Sequence, residues 1–380
     1  MNDTFLTETS VKQHWDIFCK VVDNFGDIGV CWRLAQQLHM EHGLQVCLWI
    51  DDLSAAQSII TSLNVEKNRQ ICDGISIEKW DETTDFTQAA EVVIETFACG
   101  LPDKYLTAMQ CQKSKWINLE YLSAESWVDA FHGKPSPQSF LNSANGLTRY
   151  FYFPGFSEAT GGLIRERSIS ELNQQDNPKE NNLKVSLFCY PDAPIHHLFT
   201  AMIDSNELIN CYVPASSILP QIADFFGEET IGVGDYLSRD NLHVHILPFL
   251  SQTDYDKLLR DCDINFVRGE DSWIRAIWAG KPFIWQPYRQ TENTHIKKLK
   301  AFIDVFYANC EQKEVLWEAH EYWAAEHTFQ GDFRDIWHNY INALQAIKLH
   351  TKTQSKKLAA QTDLATKLVI FCNNLVFTKE

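Results

Sequence analysis

Two acids, Asp23 and Asp27, sit in the stretch KVVDNFGDIGV, where an apolar run passes through a Gly-containing turn into a helix. Many α/β proteins place glycines at such a turn to receive a phosphate. Here the G-x-G-x-x-G spacing is absent, and a phosphate at the helix start would meet the Asp27 carboxylate. A carboxylate at a helix N-terminus is favoured by the dipole and accepts hydrogen bonds and protons, so this turn suits a cationic or proton-bearing partner. The same two acids also read as ordinary turn and cap residues. A second chemistry-bearing loop, FVRGEDSWIRAIWAGKP, sets Arg268, Gly269, Glu270, Asp271 and Ser272 between a strand and a helix closed by Gly280. Arg268 and the free N–H groups of that helix start can dock a diphosphate, and Asp271 or Ser272 makes a good N-cap.

A nucleotide base needs an aromatic slot with a few polar contacts. Phe188 and Tyr190 in LFCYPD share a face by strand alternation, and LPFLSQTDYDKLL adds Phe249 and Gln252. Each aromatic alone reads better as core, and only their shared placement at strand ends points to a base pocket. Gln290, Glu292 and Asn293 follow the strand of PFIWQPYRQTENTH, where they could hold sugar hydroxyls or form a plain polar loop. The Asp-x-Asp of DCDINF has the form of a diphosphate-metal motif but precedes its strand, so it reads as a helix-to-strand connection. The histidines at 196, 197, 243 and 245 lack companion ligands at metal spacing. No metal is expected.

Positioning these loops takes strands that end where they begin. WDIFCKVV, LQVCLWIDD, AAEVVIETFACG and KWINLEYLS read as strands in the first half, with a helix over VCWRLAQQLHMEHG. KVSLFCYPDAP, LINCYVPAS, LHVHILPFLS, CDINFVRGEDS and PFIWQPY repeat the rhythm in the second half. The expected fold class is α/β, with two Rossmann-like domains facing across a cleft at the carboxyl ends of their strands. Residues 1–167 form the first domain, 168–183 a polar linker, 184–350 the second domain, and 351–380 a closing amphipathic helix that could return to the first. With a chain of 380 residues and a net charge of −17, nucleic acid and anionic membranes are poor partners. Eleven cysteines, an odd number without a CxxC pair, point to a reducing cytoplasm. No apolar run approaches a bilayer-spanning length, and MNDTFLTETSVKQHW lacks the features of a signal peptide.

Taken together, DNFGDIGVCWRLA, IETFACGLP, LEYLSAE, FSEATGGLIRER and VRGEDSWIRAIWAGKPFIW closely resemble the bacterial family that rhamnosylates an arginine of translation elongation factor P. The resemblance runs from about Trp15 to the final helix. It implies a GT-B glycosyltransferase that takes L-rhamnose from TDP-β-L-rhamnose and inverts the anomeric centre, with no cofactor beyond that donor. The product it implies is an α-rhamnosyl arginine on elongation factor P, which helps ribosomes through proline runs. By motif position, the resemblance makes Asp27 the general base, Asp23 its supporting acid and Glu270 a further residue needed for activity. It makes Phe188, Tyr190, Gln252, Arg268, Asp271 and Ser272 donor contacts, with Phe249 beside them. Glu120 and Tyr121 of LEYLSAE are candidates for the acceptor side. A noncatalytic nucleotide-sugar-binding module, or a transferase with another donor such as a UDP-sugar, remains the alternative.

Overall fold

The computed structural model describes residues 13–23, 25–137, 146–172, 182–324 and 332–375. Its first sheet comprises β1 (His14–Cys19), β2 (Gln45–Ile50), β3 (Arg69–Cys72), β4 (Ile75–Lys79), β5 (Val92–Thr96), β6 (Lys115–Leu119) and β7 (Arg149–Tyr152). They lie in the order β3-β4-β2-β1-β5-β6-β7, all parallel except β3, which pairs antiparallel with β4. The inner strands are apolar on both faces because helices cover both, as parallel sheets require. The second sheet comprises β8 (Leu183–Leu187), β9 (Ile209–Pro214), β10 (Tyr236–Arg239), β11 (Leu242–Leu247), β12 (Ile264–Arg268) and β13 (Phe283–Gln286). Its order is β10-β11-β9-β8-β12-β13, with β10 alone antiparallel.

Both sheets reverse their strand order beside their first strand. β1 lies between β2 and β5, and β8 between β9 and β12. Ligands of open α/β sheets bind at such switch points, outside the carboxyl ends of the strands. The loop holding Asp23 leaves β1 there, and the loop holding Glu270 leaves β12. The expected α/β fold with two facing sheets is the one observed. β3, β4, β7 and β10 have no counterpart in the sequence reading, because these short strands carry few of the apolar runs that mark the inner ones.

Two expected boundaries are revised. Residues 168–183 are not a plain linker from their start, since a helix runs over Arg167–Leu172; residues 173–181 lie outside the described residues. The expected closing helix is in fact two, Phe333–Ala359 and Leu364–Asn374. The break comes where Asp363 caps the second helix by accepting from Thr366 N–H at 3.0 Å. That last helix lies on the first sheet: the Phe371 ring is 5.4 Å from Tyr152, and Lys115 Nζ donates to the Cys372 carbonyl at 2.6 Å. Among the described residues no helix is long and apolar enough to cross a membrane.

Candidate active site

Phe188, Tyr190, Phe249, Gln252, Arg268, Asp271 and Ser272 all line one cavity with an empty volume of about 570 Å³. Asp27 and Glu270 line a second, of about 810 Å³. Asp23, Gly26 and Gly269 line both, so the cavities adjoin across these three residues. All ten expected site residues are therefore brought to one place, seven of them on one side.

On that side the Arg268 guanidinium lies 4.4 Å from the Phe188 ring centre and 4.7 Å from that of Tyr190. One of its nitrogens donates to the Cys189 carbonyl at 3.3 Å. Stacking on two rings holds the cation in place while leaving most of its donors unspent. Phe249 packs on Phe25 at 4.9 Å, and Phe188 on Tyr255 at 5.6 Å. Neither Asp271 nor Ser272 is the N-cap expected of it. The cap position of the Asp271–Ala279 helix falls on Glu270, with no side-chain bond. Ser272 sits inside the first turn and donates back to the Arg268 carbonyl, a common alternative for a helical serine. The Asp271 carboxylate turns instead to a buried cation, accepting from Arg33 Nε at 2.7 Å.

On the other side Asp27 is 2% exposed. Its Oδ2 accepts from the N–H groups of Val22 and Asp23, each at 2.8 Å, and its Oδ1 from the Tyr121 hydroxyl at 3.2 Å. It thus ties down the loop before its helix rather than capping that helix, whose cap position is Phe25. Asp23 Oδ2 accepts from the Tyr190 hydroxyl at 2.6 Å, across the two sheets' units. Burial raises the Asp23 pKa, opposed by Tyr190 and Arg268 and reinforced by Asp27. Glu270 Oε2 accepts from Leu122 N–H at 2.9 Å. Burial pushes this carboxyl up to about 8, against the pull of the Leu122 N–H and the Lys298 charge and with the help of Asp27 and Asp271.

Tyr121 lies flat on Phe97, with ring centres 4.1 Å apart. Phe97 and Ala98 both take left-handed backbone, φ 56° and 52°. The Leu119 carbonyl and the Asn118 side chain accept their N–H groups at 2.7 and 3.1 Å, which holds a conformation that L-residues avoid. Lys298 Nζ stands 5.6 Å from the centre of the Tyr121 ring. Gln290 lines the second cavity, whereas Glu292 and Asn293 are exposed and line neither; of the LEYLSAE pair, Tyr121 lines it and Glu120 does not.

Sequence reasoning missed Phe25, Phe97, Tyr288 and Lys298 as lining residues. Phe97 had a usable signal, since it directly follows β5, the strand beside the β1 switch point. The Asp-x-Asp is a helix-to-strand connection, with Asp263 accepting from Lys184 N–H at 3.1 Å. His196 meets the Gln221 carbonyl at 3.1 Å and His197 the Tyr322 hydroxyl at 2.7 Å. Among the described residues no group of three His, Cys, Asp or Glu is placed to hold a metal ion. One cavity therefore offers aromatic faces and a cation, as a nucleoside diphosphate would require. The other gathers carboxyls and a tyrosine, as a basic nucleophile would.

Comparison with known proteins bears on what that pairing does. The family model described as Elongation-Factor P (EF-P) rhamnosyltransferase EarP matches residues 15–373. A protein-arginine rhamnosyltransferase of Pseudomonas putida is 39% identical over 389 aligned residues, which cover 96% of this chain and all of the relative. The solved structure described as "Structural basis for EarP-mediated arginine glycosylation of translation elongation factor EF-P" superposes with a TM-score of 0.63 at 29% identity, covering 96% of this chain and 100% of that one. Acinetobacter baumannii MurG, at a TM-score of 0.53 and 11% identity over 96% of this chain and 100% of its own, shares the fold alone. That fold is the two-domain α/β arrangement of GT-B glycosyltransferases. Matched over nearly its whole length, the chain belongs to the EarP family and is a protein-arginine rhamnosyltransferase.

Proposed function

We propose that the chain moves L-rhamnose from TDP-β-L-rhamnose, with inversion, onto the guanidinium of one arginine of elongation factor P. The observation that carries this reading is the adjoining pair of cavities, with Asp27 on one side and the aromatic and Arg268 side chains on the other. The acceptor is supported by the family description and by the 29% identical solved protein, both of which name EF-P.

An arginine side chain is a weak nucleophile because its lone pairs are delocalised and its cation persists at neutral pH. A C–N bond forms only as a proton leaves, so an acceptor oxygen must be waiting. Asp27 supplies it. Two backbone N–H groups fix Oδ2, leaving Oδ1, with the exchangeable Tyr121 hydroxyl as its only side-chain partner among the described residues, to receive the proton. Asp23, gripped by Tyr190, stands beside it as the supporting acid. The sugar's anomeric carbon sits between the cavities. Attack from the Asp27 side and departure of the diphosphate on the Arg268 side are then opposite, which inverts the centre. The charge growing on the diphosphate meets Arg268 and the amides at the start of the Asp271–Ala279 helix. Phe188, Tyr190, Phe249 and Gln252 hold the nucleoside, and Glu270 lies where it touches sugar or guanidinium. No cofactor or metal is assigned, and an elongation factor as acceptor puts the reaction in the cytoplasm.

Mass spectrometry of elongation factor P incubated with enzyme and TDP-rhamnose tests the reading. The expected product carries one deoxyhexose on a single arginine. Asp27→Asn keeps the shape and removes the proton acceptor, so TDP binding should persist while transfer slows by roughly 10²- to 10⁴-fold. An unmodified factor, or equal transfer from a UDP-linked donor, would overturn the assignment, and near-normal turnover in Asp27→Asn would remove the base.

A further inference from the structure

Beside the donor cavity, the two units meet through a buried ion cluster of which only Asp271 lines that cavity. Arg33, on the Gly26–His42 helix, is 4% exposed. Its Nε pairs with Asp271 Oδ1 at 2.7 Å, and its terminal nitrogens with Asp256 at 3.2 Å and Glu166 at 3.3 Å. Arg275 closes the cluster, reaching Glu166 and Asp256 at 2.6 Å each, but it forms no ion pair with Asp271. Burial disfavours the Arg33 charge, and the three carboxylates more than restore it.

Two further observations centre on the same carboxylate. Gln252 spans from Asp271 Oδ2, at 3.3 Å, to the Gly29 carbonyl, at 3.1 Å. Gly29 lies one helical turn before Arg33, and a Cβ built there would come within 3.2 Å of Asp271 Oδ2. A side chain at 29 would thus press on Asp271, and the glycine lets the helix come this close. The Gly26–His42 helix also carries Asp27, while Asp271 opens the helix that faces the donor cavity.

We infer that Arg33 is a positioning residue for donor binding, its buried guanidinium orienting the Asp271 carboxylate from the opposite unit and tying the helix of Asp27 to the helix that meets the donor. The inference rests on reading Asp271 as part of the donor site. With Oδ1 spent on Arg33, Oδ2 and its Gln252 partner are the groups left for the donor, held at a fixed distance from Asp27. A planar guanidinium does this by aiming Nε at Asp271 while its terminal nitrogens hold Asp256 and Glu166, a fixed fork that an ammonium cannot reproduce.

Calorimetry of TDP binding, with steady-state kinetics, compares Arg33→Lys with Arg275→Lys. Both variants loosen the same cluster, but only the first releases Asp271. Arg33→Lys should weaken TDP binding and raise the donor KM by at least about tenfold with a smaller change in kcat, whereas Arg275→Lys should stay within about threefold of wild type. Gly29→Ala provides a second reading that leaves every charge in place. It should lose donor affinity without lowering the melting temperature, since alanine otherwise favours a helix. Donor affinity within about threefold of wild type in both Arg33→Lys and Gly29→Ala, or an equal loss in Arg275→Lys, overturns the inference while leaving the proposed function standing. Wild-type protein that fails to bind TDP overturns the donor reading and this inference with it.

Discussion

Glu270 shows how environment rather than residue type sets a side chain's chemistry. In sequence it is one of two acids just after Arg268; in the structure, burial pushes its carboxyl up to about 8 from an ordinary 4.5. Its proton is therefore held through the neutral range in the folded chain and lost in the unfolded one. The stability this confers is complete below about 4.5 and disappears as pH rises through about 8. Glu270→Gln should accordingly melt like wild type at acid pH and gain over it progressively between those limits, which paired thermal melts at several pH values would show. A constant offset at every pH would mean an ordinary carboxyl. The acids and Arg268 were legible from sequence because charges at the ends of apolar strands stand out. Their partners were not: Asp27 bonds backward to Val22 and Asp23, and Glu270 bonds to Leu122 in the other half of the chain. Lys298 and Tyr288 were invisible for the same reason, since a lysine or tyrosine on a polar segment acquires meaning only from what lies opposite.

At the scale of elements, the strand–turn–helix units were legible and their junctions were not. The inner strands of both sheets read correctly because burial on both faces demands unbroken β-branched and aromatic runs. The β12 turn depends instead on Gly269, which takes φ 62° and would place a Cβ 3.0 Å from both Asp23 Oδ2 and the Tyr190 hydroxyl. Left-handed backbone and lack of space coincide there, at the hydrogen bond joining the two cavities' walls. Gly269→Ala should cost roughly 1–3 kcal/mol of stability in denaturant titrations and weaken TDP binding in the same protein, because the turn must either strain or part Tyr190 from Asp23. Wild-type values for both would show that the turn has slack.

For the whole molecule, the two sheets do not meet as independent bodies joined by a linker. Hydrogen bonds cross between them at Asp23–Tyr190, Leu122–Glu270 and Gly29–Gln252, and the Arg33 cluster lies behind these. Burial alone would raise the Glu166 pKa, yet Arg275 and Arg33 bring it down to about 2. The stability from this depressed value is present above about 4.5 and lost as pH falls toward 2, so Glu166→Gln should be less stable by roughly 3 kcal/mol at neutral pH, with the deficit closing on acidification. Two-domain architecture was readable from the repeated rhythm of strands. The clasp was not, because its five members are spread from residue 33 to 275 and nothing in the spacing of those charges shows that they meet.

The last helix, Leu364–Asn374, bears on the order of synthesis. It covers the Tyr152 ring, accepts from Lys115 through the Cys372 carbonyl, and so finishes a sheet whose strands were made first. A nascent chain still short of Leu364 must leave that flank uncovered, with its early half waiting on a helix made more than two hundred residues later. Ribosome-stalled chains ending before the helix should be clipped by protease around Tyr150 and Tyr152, and chains carrying it out of the exit tunnel should resist; equal resistance would mean the first lobe closes unaided.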